Sequence, residues 1–339
     1  MSANPYTNEP GFEVSDEEEF ESGQADGLPP PSRRTSAGCQ AKAYVAKIHH
    51  ETLRISVIQR MEKYFGITSP PPSTDKATKR TAASFAAAPS KPEEDVWEPF
   101  EDLLKRRFLW YYSSYHRSID ESIKQHKDLV KDGKAFATMP FEHRGNQMIG
   151  TFNYTNLKQR LENIKALLEG ESEQWVKEGA EAAKKENPSA LMMENELASM
   201  PKHFQGRGAM LTFEFIDKNP YHWKVIVFGN PMTDLDGGMF EMRLVFSTRF
   251  PEEQPRVTVT TPIFHHRVSP DGVLCYLPKK PENIKSHIEA AVEAIVGSTS
   301  CPDAWTVVHP EASELLWGDD EQKKQYKRRL RRSAQQSSE

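Results

Sequence analysis

Tyr221-His-Trp-Lys-Val-Ile-Val-Phe-Gly-Asn-Pro231 alternates inward and outward positions from His222 to Phe228, until Gly229-Asn-Pro breaks the run. A period of two marks a strand with one face buried. Working outward, Met210–Ile216, Met239–Phe246 and Arg256–Thr261 alternate in the same way. Asn219-Pro220 and Asp236-Gly237-Gly238 supply turns between runs. Short connections imply an antiparallel meander with one face covered by helices. Upstream, Pro188-Ser189 precedes a short helix over Ala190–Met200, with Ser189 as its N-cap. Downstream, a loop carrying Cys275 leads to helices over Glu282–Val296, Pro310–Trp317 and Asp319–Arg332. The fold class is α+β: an N-terminal helix, a four-stranded antiparallel meander and C-terminal helices, preceded by an α-helical region with disordered linkers.

Composition narrows the function. Hydrophobic residues make up 37% of 339 and prolines number 24, a balance that leaves part of the chain unpacked. A net charge of -5 argues against a general nucleic-acid binder. No apolar run approaches the ~18–20 residues of a membrane span. The polar, acidic N-terminus is no secretory signal. Cys39, Cys275 and Cys301 are widely spaced and odd in number, with neither a disulfide framework nor a zinc pattern. The expected compartment is reducing, cytoplasmic or nuclear.

The first half reads as helices between polar stretches. Residues 1–40, with Asp16-Glu-Glu-Glu19 and Pro29-Pro-Pro31, form a disordered acidic, Pro-rich segment. Residues 41–170 form a helical region interrupted by a Pro/Ser/Thr/Ala-rich linker at 67–92. Its helices cover Ala41–Phe65, with Gly66 as the stop, then Glu98–Val130, then Tyr154–Leu168. The aromatic face of the second (Phe100, Phe108, Trp110, Tyr111, Tyr115) reads as packing or an interface. Residues 171–189 connect, as a helix or a tether. The second domain spans 190–333, and 334–339 is a disordered tail.

Several stretches read as ordinary structure. His265 and His266 have no third ligand at metal spacing, so they are loop histidines. Cys301 beside Pro302 has no cationic flank and reads as structural. Lys323-Lys-Gln-Tyr-Lys-Arg-Arg-Leu-Arg-Arg332 reads as a solvated last helix, with an anion-binding or import patch as the alternative. Gly206-Arg-Gly208 is a turn before the first strand.

Read together, Tyr221–Pro231, Asp236-Gly-Gly-Met-Phe240, Phe250-Pro251, Gln254-Pro-Arg-Val257 and Pro262–Leu277 around Cys275 resemble, in order and without a gap, the catalytic domain of the ubiquitin-conjugating enzymes. Asn4-Pro-Tyr-Thr-Asn-Glu-Pro-Gly-Phe-Glu13, His50-Glu-Thr-Leu-Arg54, Phe108-Leu-Trp-Tyr-Tyr112 and Phe152-Asn-Tyr154 are similar to the region that follows the catalytic domain in the enzyme Z branch of that family. That second resemblance covers residues 4–169 and implies the back half of a longer two-domain architecture, or a truncated gene model.

The resemblance implies chemistry. Cys275 would take ubiquitin or a ubiquitin-like modifier from an activating enzyme as a thioester and pass it to a lysine amine, with a ligase as a further partner. Sulfur suits both steps as nucleophile and as leaving group. No metal and no organic cofactor is needed. Cys275 is expected in a shallow groove, with Lys279, Lys280 and Arg267 as the cations that favour its thiolate. In the family a His-Pro-Asn triplet provides or organises the oxyanion donor. The triplet here is His265-His266-Arg267, so Arg267 is the candidate donor. Asp303 is the nearest candidate for the acidic residue that tunes the nucleophile.

Departures from the family pattern open an alternative. The triplet asparagine is absent. Pro278-Lys-Lys-Pro-Glu-Asn283 replaces the Trp-Ser-Pro segment, Glu252 follows the Phe-Pro step, and the first helix is acidic where the family is basic. The alternative is a catalytically inactive binding module that contacts ubiquitin or a partner conjugating enzyme. A third reading makes the helical half a scaffold or substrate receptor.

Overall fold

The computed structural model describes residues 37–67, 98, 100–143, 145, 147–185, 187–206, 210–297 and 302–338. The expectations for most of 1–40, for 68–92, for the Asn4–Glu13 motif and for Arg207, Gly208 and Cys301 lie outside these residues.

The first lobe is helical. Helix α1 (Ala37–Glu51) runs into a π-helical stretch (Thr52–Gln59) and then α2 (Arg60–Tyr64). Leu53 and Ile58, five apart, are both buried, as the wider i→i+5 turn permits. Gly66 closes this segment at φ 65°, left-handed backbone that glycine adopts without penalty. Helices α3 (Glu101–Gln125) and α4 (Tyr154–Lys184) complete the lobe. Its core gathers Leu53, Ile58, Phe108, Ile119, Leu157, Leu161, Ile164 and Leu168. The quoted motifs meet inside it. The His50 ring stands edge-on to Phe136, Phe152 and Tyr154. Asn153 N–H donates to His50 Nε2 at 3.0 Å, so Nδ1 carries the proton and donates to Glu51. Arg54 holds the same Glu51 carboxylate.

Helix α4 does not stop near Leu168. Its 31 residues continue through the Glu/Lys/Ala segment, which is therefore helix rather than tether. The reason is composition: alanine, glutamate and lysine are strong helix formers, and the two glycines, at 170 and 179, are tolerated. The added turns carry Trp175 and Gly179 onto the second lobe, where a Cβ on Gly179 would meet Tyr221 Cβ at 2.6 Å.

The second lobe begins at α5 (Pro188–Phe204). Its cap is Asn187, which accepts from Ser189 N–H, and not Ser189 itself. Proline at the first helical position needs no amide partner, so the helix starts two residues earlier than expected. Strands β1 (Leu211–Phe215), β2 (His222–Phe228), β3 (Met239–Val245) and β4 (Arg256–Val259) form an antiparallel sheet in sequential order. Trp223 pairs with Phe215 and Leu244, and Val225 with Met242. Trp223, Val225 and Val227 thus share one face, buried under α5 and α6 (Ile284–Val296). Helices α7 (Pro310–Trp317) and α8 (Asp320–Gln336) follow. Asp319 and Gln322 form a reciprocal capping box at the start of α8. The expected tail from 334 is instead the end of this helix, with Ala334 buried against the core and the Ser338 hydroxyl bonded to the Gly237 carbonyl. Among the described residues, no helix is long and apolar enough to cross a membrane.

Candidate functional site

The chain leaves β4 at Val259, turns through residues 262–277 and folds back beside the strand it left. Leu274 N–H donates to the Val257 carbonyl at 3.2 Å, and Val259 N–H to the Gly272 carbonyl at 2.8 Å. The reversal is made at Asp271-Gly272. Gly272 sits at φ 83°, and a Cβ there would meet the Val259 carbonyl oxygen at 2.6 Å. Only glycine fits that position unstrained. Beyond the turn, Val268 bridges Leu274, and Cys275 N–H donates to the Arg267 carbonyl at 2.8 Å.

The histidines of this loop are fixed by packing. Tyr326 of α8 bonds His266 Nδ1 at 2.7 Å, and Arg267 N–H donates to His265 Nδ1 at 3.1 Å. The His266 carbonyl accepts from Val308 N–H at 2.8 Å, which joins the cysteine loop to the segment before α7. Burial and the nearby Arg267 charge lower the His266 pKa to about 4, so the imidazole is neutral. Among the described residues, no three His, Cys, Asp or Glu side chains are grouped as a cation would need.

Cys275 is not in a shallow groove. It is 0% exposed. Trp110 and Val308 are buried against it, with Tyr111 and Val273 packed alongside. Trp110 and Tyr111 belong to α3, so the first lobe covers the thiol of the second. The physical reason lies on the helix wheel: two residues turn an α-helix by about 200°. Phe108 therefore points into the helical core, while Trp110 points away from it onto the cysteine loop. Residue types mark this aromatic stretch as packing or interface. They do not mark the sulfur as what Trp110 packs on, because periodicity says which side a residue faces and not what stands there.

Polar contacts ring the cover. Tyr111 donates its hydroxyl to the Trp305 carbonyl, and Arg117 pairs with Glu314 of α7. Ser113 donates to Asp271 at 3.0 Å, and Lys165 of α4 reaches the same carboxylate at 3.3 Å. Deeper in the seam, Asp102 of α3 accepts from Arg256 at 2.8 Å, and Arg256 stacks on Trp175 with 4.6 Å between guanidinium and ring centroid.

Burial pushes the Cys275 thiol pKa up to about 12, against the opposing charges of Arg267, Arg107 and Arg106. Two of these three cations come from α3. Lys279 and Lys280, expected to serve, are not among them. The structure thus brings Arg267 to Cys275, and Arg267 Nε is buried without a partner among the described residues. Asp303 is exposed at the start of a short turn (Ala304–Thr306) and is not among the residues packed on the sulfur.

Comparison with known proteins addresses the second lobe. A family model described as ubiquitin-conjugating enzyme matches residues 192–333. Among curated proteins, ubiquitin-conjugating enzyme E2 13 of Arabidopsis thaliana is 32% identical over 130 residues, which cover 38% of this chain and 70% of that protein. Ubiquitin-conjugating enzyme E2 3 of the same plant is 30% identical over 122 residues, 36% of this chain and 79% of the relative. Ubiquitin-conjugating enzyme E2 7 of Triticum aestivum is 32% identical over 100 residues, 30% of this chain and 54% of the relative.

Proposed function

The chain belongs to the ubiquitin-conjugating enzyme family, and from that premise we propose that Cys275 accepts ubiquitin or a ubiquitin-like modifier as a thioester and passes it to a lysine amine. Membership supports a conjugating-type role in the ubiquitin pathway, with ubiquitin, an activating enzyme and ligases as general partner classes. The observation that carries the finer reading is the pairing of Cys275 with Arg267. The guanidinium lowers the cost of a thiolate beside it, and its buried Nε–H has no partner among the described residues.

In the first step, the Cys275 sulfur attacks the carbonyl carbon of the modifier held as a thioester by the activating enzyme. A carbon–sulfur bond forms at Cys275, the old one breaks, and the proton lost by Cys275 goes to the departing thiol. In the second step, a lysine amine attacks the same carbonyl. Carbon–nitrogen replaces carbon–sulfur, the amine loses its proton to solvent, and Cys275 is released. Both steps pass through a tetrahedral oxyanion, and Arg267 Nε–H is the donor offered to it. Asp303 is the carboxylate offered to the incoming amine.

The test is incubation with activating enzyme, ATP and modifier. An adduct cleaved by thiol reductant and lost in Cys275→Ala is the expected result. Absence of any adduct across a panel of modifiers would sink the reading.

The burial of Cys275 favours a second reading, in which the domain contacts ubiquitin or a partner conjugating enzyme without carrying a thioester. Ubiquitin binding that survives Cys275→Ala, with no adduct ever formed, selects it.

A further inference from the structure

We propose that α3 is a displaceable cap over Cys275, through which the helical lobe of this chain controls access to the thiol of its conjugating lobe. As a control on loading, the proposal rests on the thioester reading above; as a statement about access, it stands alone.

The cover comes from two sources. Val308 and Val273 belong to the lobe that owns the cysteine and pack with it. The closure itself is Trp110 and Tyr111, delivered by a helix from the other lobe. Trp110 is not part of the helical core, which is built from Phe108, Ile119 and the α4 leucines. It is therefore a large aromatic outside the helical core, packed at the seam. A single side chain that shields a nucleophile and does not hold its own lobe together is what a removable cover requires.

The fastening suits release. The rim contacts at the mouth are Arg117 with Glu314, Ser113 and Lys165 with Asp271, and Tyr111 with the Trp305 carbonyl. Arg117 and Glu314 are solvent-exposed enough to be weakened by salt, and such pairs each hold only loosely. The tether lies elsewhere. Helix α4 runs unbroken through both lobes, and Trp175 and Gly179 pack on the second. Arg256, between Asp102 and Trp175, fixes the near end of α3 beside that anchor. Lobes joined by one buried edge and one solvent-exposed edge open at the exposed edge, and the exposed rim is the one beside the cysteine loop. Seams inside one chain resemble transient interfaces, so motion at such an edge is the default.

Closure has a chemical consequence. A modifier tail must place its carbonyl against the sulfur, and Trp110 already fills that space. Thioester formation therefore requires α3 to move away from the loop, by a partner's binding or by thermal opening.

The experiment reads access without reading catalysis. The full chain is exposed to iodoacetamide, and carbamidomethylation of the Cys275 peptide is followed by mass spectrometry, with urea-unfolded chain as the unprotected reference. Wild type should label slowly. Trp110→Ala should label at least about tenfold faster. Arg117→Glu, placed on the exposed rim to spare folding, should label about fivefold faster. The double reversal Arg117→Glu with Glu314→Arg should return to the wild-type rate. Wild-type labelling at the unfolded rate overturns the cap. So does an Arg117→Glu rate equal to wild type, or a double reversal that does not restore protection. The two readings separate in a parallel loading assay. Faster labelling of the variants with no adduct keeps the cap and removes the carrier. Full loading of wild type with unchanged labelling in the variants keeps the carrier and removes the cap.

Discussion

Cys275 hangs its backbone amide on the carbonyl of Arg267 at 2.8 Å, and the side chain of the same Arg267 is the first cation bearing on the sulfur. One residue thereby sets the position of the nucleophile through its main chain and its charge environment through its side chain. Substituting the side chain separates the two roles, because the carbonyl stays. Arg267→Ala should slow lysine discharge of a preformed thioester by about 10²-fold, the cost of one oxyanion donor in other acyl transfers. Arg267→Lys should recover part of the loss through charge alone. Single-turnover discharge assays check this, with wild-type rates in Arg267→Ala as the outcome that removes Arg267 from the reaction.

Gly272 makes the turn that returns the loop to β4, at φ 83° and with the Val259 carbonyl 2.6 Å from where a Cβ would lie. Gly272→Ala adds both backbone strain and a backbone clash, so it should cost about 1–3 kcal/mol and displace the Cys275 loop. A lower urea midpoint is the expected result. An unchanged midpoint would show that the turn is not under this constraint.

The four strands were legible because alternation at Trp223, Val225 and Val227 is a local signal and turn chemistry marks where each strand stops. The cysteine loop was legible from ordered short motifs. What covers the loop was not. Trp110 and Cys275 lie in different lobes, and nothing in the residues near either announces the other. The length of α4 was ambiguous for a different reason: a Glu/Lys/Ala stretch is helical when anchored and flexible when not, and the anchor, Trp175 under Arg256, is a tertiary contact.

Asp102 accepts from Arg106 at 3.1 Å, from Arg256 at 2.8 Å and from Gln254 N–H at 3.3 Å, so one carboxylate joins α3 to the start of β4. Removing it takes the carboxylate from buried Arg106 and leaves Arg256 with Glu171 at 3.4 Å and the Gln254 carbonyl at 2.9 Å. Asp102→Ala should cost about 3 kcal/mol, as breaking a buried pair from one side does. Arg117→Ala at the exposed rim should cost less than about 1 kcal/mol. Urea denaturation of both variants measures the difference, and equal losses would mean that the seam is held no more firmly at Asp102 than at its mouth.

Burial holds His266 and His287 neutral, with pKa values of about 4 each; burial is the largest cause at both, followed at His266 by the Arg267 charge and opposed at His287 by a hydrogen bond to the Pro281 carbonyl. The sign follows from proton counting. Between pH 6.5 and about 4 the unfolded chain binds a proton at each imidazole and the folded chain does not, so stability rises with pH across that window and falls as acid is added. Each imidazole contributes a slope of about 1.4 kcal/mol per pH unit there. His287 links Tyr276 at 3.0 Å to the Pro281 carbonyl at 2.9 Å, next to Cys275 in sequence, and His266 links the loop to Tyr326. Acid should therefore loosen both supports of the cysteine loop. Urea midpoints taken from pH 7 to pH 4.5 should drop steadily, and His287→Gln should flatten the dependence only in part, since burial also lowers the pKa of His265, His266 and His309. A midpoint independent of pH over that range would mean that these imidazoles charge as freely in the fold as outside it.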